Sequence, residues 1–224
     1  MYELVIFDWD GTLMDSTQKI SNSVRAVAKQ LGLPEPTDAQ AKNIIGLGLH
    51  EAMRVLFPQA DEPKVDKVVQ AYKHYFVNVD KTQESLFDGV EKALLAMQET
   101  GAMLAVATGK SRAGLNRVLK ATDMARHFTV TRCADETRSK PHPQMLLEIL
   151  DFTAIDPDKA IMVGDTTFDL DMAQNAGIAG LGAGYGVHDE QDLIDSKALY
   201  VAQTFADLAS WLLDGKLVPA FSEA

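Results

Sequence analysis

The stretch FDWDGTLMDS, residues 7–16, puts two aspartates at the end of a short apolar run that begins at Tyr2. The run contains Val and Ile and is cut off by Asp8 and then Gly11, which predicts a buried strand that ends in a turn. Asp8 and Asp10 carry like charges close together, and like charges repel. Something therefore has to compensate for this repulsion at the end of the strand.

Strands and helices alternate in the second part of the chain. Apolar runs predict strands at 103–107, 128–133, 160–163 and 178–181, with an edge strand at 200–202. Segments with helical spacing of apolar residues lie between them, at 88–101, from 111, at 143–150, before 177 and at 205–213. Alternation of this kind predicts an α/β fold, a doubly wound parallel sheet with helices on both faces.

The region directly after the first strand has a different pattern. Asp15 or Ser16 can cap a helix that ends near Gly32, and residues 37–79 continue with helical spacing around a glycine-containing break at 43–50. No strand signal occurs between about 15 and 83. We therefore predict an α-helical cap domain at 15–82, inserted into a core domain made of 1–14 and 83–224.

Composition excludes several classes of partner. The 224 residues carry a formal net charge of -11, which argues against nucleic acid and against anionic membrane surfaces. Cys133 is the single cysteine, so no internal disulfide is possible. The chain opens without a secretory signal pattern and has no apolar run of membrane-spanning length. These observations predict a cytoplasmic protein, and they give no information on its oligomeric state.

Polar groups follow several of the predicted strands. Ligands of open parallel sheets bind at the carboxyl ends of the strands, where this chain has Asp8 and Asp10, Thr108-Gly109, Lys140-Pro141, and Gly164-Asp165 through Asp169. Carboxylates without nearby histidine or cysteine make a hard oxygen site that suits Mg²⁺. Mg²⁺ would offset the repulsion between the aspartates, and a Thr hydroxyl, a backbone N–H and a lysine can bind a phosphoryl group.

In their order and placement, these segments resemble the four motifs of the haloacid dehalogenase-like hydrolases, a family of aspartyl-phosphate phosphatases. The resemblance covers essentially the whole chain, and it implies a Rossmann-like core with a helical cap. Within that family, Ile45-Gly46-Leu47-Gly48 and the segment at 87–90 look most like phosphoglycolate phosphatases. Phe87-Asp88-Gly89 departs from the Tyr-Pro-Gly that relatives often carry there.

The resemblance implies a role for each matching residue. Asp8 is expected to be the nucleophile and a Mg²⁺ ligand, and Asp10 the acid and base, with its backbone carbonyl on the metal. Asp165 is expected to be the third ligand, while Asp169 would reach the metal through water or hold the catalytic Lys140. Thr108 and Gly109 would bind phosphate. The implied reaction is Mg²⁺-dependent hydrolysis of a small phosphorylated metabolite through an aspartyl-phosphate intermediate, under a cap that excludes water.

Several alternatives remain open at this point. A β-phosphoglucomutase or an inorganic pyrophosphatase would keep every motif, whereas a receiver-type phosphoacceptor is disfavoured because no helical insertion follows its first strand. The glycines at 180, 182, 184 and 186 lack the spacing of a dinucleotide site, so we reject that interpretation.

Three features of the cap and the first motif also allow two interpretations. Gly46 and Gly48 are a break between helices or a loop that faces the substrate. His50 and Arg54 are surface residues or contacts of a substrate carboxylate. Trp9 is expected to pack on the far side of the strand or against the cap.

Overall fold

The computed structural model describes residues 2–214, so residues 215–224 of the predicted core lie outside the described residues. Its strands are β1 (Leu4–Phe7), β2 (Met14–Asp15), β3 (Ser85–Leu86), β4 (Met103–Thr108), β5 (Val130–Cys133), β6 (Ala160–Gly164), β7 (Ala179–Ala183) and β8 (Val201–Ala202). Its α-helices are α1 (Thr17–Gln30), α2 (Asp38–Lys42), α3 (Leu49–Leu56), α4 (Glu62–His74), α5 (Val90–Glu99), α6 (Arg112–Thr122), α7 (Gln144–Thr153), α8 (Thr167–Ala176), α9 (Glu190–Asp195) and α10 (Phe205–Leu213).

Six of these strands form one parallel sheet in the order β5-β4-β1-β6-β7-β8. β1 lies in the middle, with Leu4 beside Met103 of β4 on one side and Ala160 of β6 on the other. All four residues of β1 are buried, as expected for a strand covered by helices on both faces. The predicted doubly wound α/β sheet is confirmed.

The two faces of β1 contribute to two separate cores. Val5 and Phe7 pack into a cluster with residues of α5, α6 and α10, whereas Leu4 and Ile6 pack into a cluster with residues of α7 and α8. Because successive side chains of a strand point to opposite faces, the helices packed on both faces of the sheet fix the position of the end of β1. The residue that follows β1, Asp8, donates its N–H to the Val163 carbonyl at 2.9 Å.

The cap has a core of its own. Helices α1 to α4 bury an apolar cluster that includes Val27, Val69 and Phe57, and each such side chain contributes about 1.5–3 kcal/mol when fully buried. A π-helical turn, Tyr75–Val79, follows α4. Among the described residues, no helix is both long enough and apolar enough to cross a bilayer.

Two features of the fold were missing from the sequence prediction. β2 and β3 pair antiparallel where the chain enters and leaves the cap, with Met14 opposite Leu86. Two-residue strands are too short to produce an alternating pattern, so nothing in the sequence indicates them. α9 was also missed, because Leu193 is its single buried residue and no apolar periodicity results. The β2–β3 ribbon lies at the predicted boundaries near 14 and 83, and the division into two domains stays a prediction.

Candidate active site

The site is built on the end of β1. Asp8 directly follows the strand and is 1% exposed, and Asp10 is 7% exposed in the turn that comes next. The Oδ2 atom of Asp8 is buried and accepts no hydrogen bond from any described residue. A buried carboxylate oxygen without a donor is costly, so this atom is in place for a cation.

Three buried carboxylates meet at this point. Ligand atoms of Asp8, Asp165 and Asp169 lie within 4.8 Å of one another. Burial raises the pKa of Asp8 to about 7, although the Lys140 ammonium opposes the shift. Burial, with the charges of Asp8 and Asp169, also raises the pKa of Asp165 well above its usual range. The cluster therefore has a deficit of positive charge, which an oxygen-preferring divalent cation such as Mg²⁺ would fill.

Lys140 supplies one positive charge to this cluster. Its Nζ lies 3.0 Å from Oδ1 of Asp8 and 2.6 Å from Oδ1 of Asp169, and its side chain is fully buried. Burial alone would lower the pKa of Lys140, but the carboxylates of Asp169 and Asp8 hold it above its usual range. Lys140 therefore stays charged, and Asp169 holds it, which is one of the two functions expected of Asp169.

Asp165 is held by groups that the sequence prediction did not include. The Thr12 hydroxyl donates to its Oδ1 at 2.7 Å, and the Val187 N–H donates to its Oδ2 at 3.0 Å. A Cβ on Gly186 would lie 2.2 Å from the Cβ of Asp165, and one on Gly11 would lie 2.1 Å from its Oδ2. The available signal was the run of alternating glycines at 180–186, which allows the backbone to approach this aspartate closely.

The carboxylate of Asp10 is not part of the three-aspartate cluster. Lys110 Nζ donates to both of its oxygens, at 2.7 and 2.8 Å, and the Ser16 hydroxyl donates to Oδ1 at 2.5 Å. Both partners were missing from the predicted site. Ser16 stands next to the β2–β3 ribbon, so Asp10 is connected directly to the passage between core and cap.

Residues 5–183 match the family described as haloacid dehalogenase-like hydrolase. The chain belongs to this family. It is 32% identical over 212 residues to the probable phosphatase IndB of Dickeya dadantii, covering 93% of this chain and 92% of that protein. It is 26% identical to a phosphoglycolate phosphatase of Vibrio vulnificus, covering 94% of this chain and 96% of that protein. The structure of a haloacid dehalogenase-like hydrolase from Bacteroides fragilis has a TM-score of 0.86 at 24% identity, covering 93% and 100%. The predicted family is confirmed.

In this haloacid dehalogenase-like hydrolase, a loop of the cap packs against the second motif, Thr108-Gly109. Thr108 is buried at the end of β4. A Cβ on Gly109 would lie 2.6 Å from the carbonyl oxygens of both Gly46 and Leu47, and the Gly48 N–H donates to Ser139 Oγ at 2.7 Å. Of the two interpretations of the 46–48 loop, the structure supports the one in which it faces the site.

For His50, Arg54 and Trp9, the structure supports structural roles. His50 lies 3.3 Å from Asp66, and Arg54 lies 2.9 Å from Glu62, with all four side chains at least 45% exposed. His50 and Arg54 are therefore surface residues of the cap. Trp9 is fully buried in the core and packs edge to face on the Phe128 ring, so it has a packing role.

Because Gly109 touches the backbone of the cap loop, we expect Gly109→Ala to prevent full closure of the cap. Overpacking of this kind costs about 1–3 kcal/mol, which corresponds to a loss of roughly tenfold to a hundredfold in kcat/KM. Steady-state kinetics measures this loss. The control is Gly182→Ala in β7, which does not line the site and where an added Cβ would meet side-chain atoms of Val201 and Leu193 at 3.2–3.4 Å. Equal activities of the two variants would contradict the expectation.

Proposed function

We propose that this chain is a Mg²⁺-dependent phosphatase that hydrolyses a small phosphorylated metabolite through an aspartyl-phosphate on Asp8. The observation that carries the proposal is the buried carboxylate of Asp8, with one oxygen unpartnered, beside Asp165, Asp169 and the charged Lys140. Phosphatase names among the similar proteins of this family support the predicted enzyme class, a phosphoric monoester hydrolase.

The residues that would hold Mg²⁺ are the carboxylates of Asp8 and Asp165 and the backbone carbonyl of Asp10, with Asp169 acting through water. When bound, Mg²⁺ would neutralise these carboxylates and polarise a phosphoryl oxygen. The donor set fits the ion, because all its ligands are oxygens and the excess of carboxylates over cations leaves room for a divalent charge.

We assign the two chemical steps to Asp8 and Asp10, as the resemblance to the family implies. An oxygen of Asp8 attacks phosphorus, the bond from phosphorus to the alcohol oxygen breaks, and Asp10 gives its proton to that oxygen. Asp10 then takes a proton from water, which attacks phosphorus and breaks the aspartyl-phosphate bond to release inorganic phosphate. Lys140 balances the charge of the transferring group, for which Thr108 and the Gly109 N–H are the proposed hydrogen-bond donors.

Phosphoglycolate is the reference substrate within this proposal, since the cap segments resemble phosphoglycolate phosphatases. The decisive experiment is a phosphate-release screen over phosphorylated metabolites, with and without Mg²⁺. Release that requires Mg²⁺ supports the proposal, and no release from any ester would overturn it. Conversion of a sugar phosphate without phosphate release would favour the β-phosphoglucomutase alternative. Phosphate release from pyrophosphate alone would favour the pyrophosphatase alternative. A cytoplasmic location and the absence of nucleic-acid and membrane partners stay predictions.

Mg²⁺ affinity is expected to depend on pH, because the metal-free site holds protons. The raised pKa values of Asp8, about 7, and of Asp165 mean that Mg²⁺ has to displace protons below about pH 7. Affinity should then rise about tenfold per pH unit for each proton displaced, and level off at higher pH. Titration calorimetry in two buffers of different ionisation enthalpy counts these protons. Asp165→Asn should lower the number of protons displaced. A Mg²⁺ affinity that does not change between about pH 5 and about pH 7 would contradict the expectation.

A further inference from the structure

The site continues past Asp8 and Asp10 into a cavity of about 130 Å³ between the cap and the core. The walls of this cavity are mainly apolar and come mainly from the cap. They include Ile20, Val24, Ile45, Met53, Tyr72 and Phe76. The cavity is therefore the space next to the phosphoryl group in which the rest of a substrate has to lie when the cap is closed.

We propose that the leaving group of the substrate carries a planar apolar ring, which this cavity binds. The inference rests on the proposed phosphatase function, and it sets the substrate apart from phosphoglycolate. A void of roughly 150 Å³ lined by Leu, Ile and Phe accommodates a benzene ring. Glycolate is smaller than the cavity, and it would bring a carboxylate among mainly apolar walls, where a charge is costly unless it is paired.

Three cations near this cavity lie within 4 Å of carboxylates of the chain itself. Lys110 pairs with Asp10, and Arg117 lies 3.5 Å from Glu84, which is also 3.6 Å from Lys19. Glu84 is thus shared by one cation of the core and one of the cap. Lys73 also lines the cavity, and it is an exposed residue. A substrate carboxylate inside the cavity would therefore compete with Asp10 or Glu84 for these cations, although the buried Nε of Arg117 has no acceptor among the described residues.

Phe76 is held at the wall by the same cations. Nζ of Lys19 lies 4.8 Å from the centroid of its ring, and Cζ of Arg117 lies at 5.4 Å. Phe76 belongs to the π-helical turn, and single π turns inside helices occur frequently at functional sites. Its ring and that of Tyr72 lie 5.6 Å apart with 32° between their planes. Together they give the cavity an aromatic wall, which suits a ring better than an aliphatic acid.

The test compares two phosphate esters of primary alcohols, benzyl phosphate and phosphoglycolate, in the presence of Mg²⁺. We expect the wild type to have a kcat/KM at least tenfold higher for benzyl phosphate. Ala52→Leu fills the cavity from α3, where Ala52 is 2% exposed, and should lower kcat/KM for benzyl phosphate about tenfold through KM. It should change the value for phosphoglycolate less than about twofold. Val55→Leu, on the same helix but 61% exposed, is the matched control and should change neither.

A second variant keeps the inference testable if Ala52→Leu does not fold. Tyr72→Leu removes one ring from the wall, so KM for benzyl phosphate should rise about threefold to tenfold while that for phosphoglycolate stays constant. A wild type that prefers phosphoglycolate would overturn the inference and leave the phosphatase function intact. An equal loss for both esters in a folded Tyr72→Leu variant would also overturn it. No release from either ester would overturn the inference, and no release from any ester of the phosphate-release screen would mean that the proposed function itself is wrong.

Discussion

Asp8→Asn should lower kcat by at least about 10⁴-fold on every substrate that the wild type hydrolyses. An amide cannot form the acyl-phosphate bond, and loss of a nucleophile removes most of the catalysis that depends on it. The substitution preserves the shape of a side chain that is 1% exposed, so the fold should persist. Phosphate release under single-turnover conditions measures the loss. Mass spectrometry of acid-quenched wild type should detect a phosphoryl adduct on the peptide that contains Asp8.

The matched control for this variant is Asp171→Asn. Asp171 stands on α8 two residues after Asp169 but does not belong to the three-aspartate cluster. We expect it to retain activity within about twofold of the wild type, because changes away from the reacting groups have small effects on rate. Full activity in Asp8→Asn, with the control also active, would show that Asp8 is not the nucleophile.

Lys140→Met should destabilise the metal-free protein by about 3–5 kcal/mol, the usual cost of removing one partner from a buried ion pair. The reason is specific to this site, because without the ammonium Asp8 and Asp169 either stay charged in a fully buried place or have to bind protons, and both cost free energy relative to the paired wild type. Mg²⁺ should recover part of the loss by supplying positive charge to the same carboxylates. Urea unfolding with and without Mg²⁺ measures both effects.

Lys159→Met is the control for this second variant. Lys159 also pairs with a carboxylate, lying 3.0 Å from Glu3, but both side chains are about half exposed. Exposed pairs contribute at most about 1 kcal/mol, so this variant should unfold close to the wild type, with or without Mg²⁺. Equal destabilisation by the two substitutions would mean that the charge balance of the aspartate cluster does not depend on Lys140.

The sequence was most informative where charged or polar residues stand directly at the end of a predicted strand. β1 is a continuous apolar run, and charged or polar residues follow it at once, so both the strand and the contents of its end could be predicted. Asp8, Lys140 and Asp165 come from three separate segments, yet the rule that ligands bind at the carboxyl ends of parallel strands was enough to bring them together. The structure has all three side chains buried in one cluster.

Partners that depend on side-chain direction could not be predicted. Lys110 directly follows Thr108-Gly109, but nothing in the sequence indicates that its ammonium turns toward Asp10. Thr12 lies inside the first motif, and its hydrogen bond to Asp165 joins two residues that are 153 positions apart in the sequence. The close approach of Gly186 likewise depends on how the loop after β7 returns to the site. Such contacts are set by tertiary packing, which one sequence without structure does not specify.

The central position of β1 also has a consequence for the order of folding during synthesis. Leu4 finds its neighbours at Met103 and Ala160, so this fully buried central strand is made first but has no partner until β4 has been made. At about 5–20 residues per second, the ribosome takes roughly 5–20 s to make the next strand that β1 can bind. Meanwhile the cap, whose core comes from one contiguous segment, is complete. The nascent chain then carries the complete helical segment of the cap behind an unpaired apolar strand, and that strand is the segment a chaperone would have to cover.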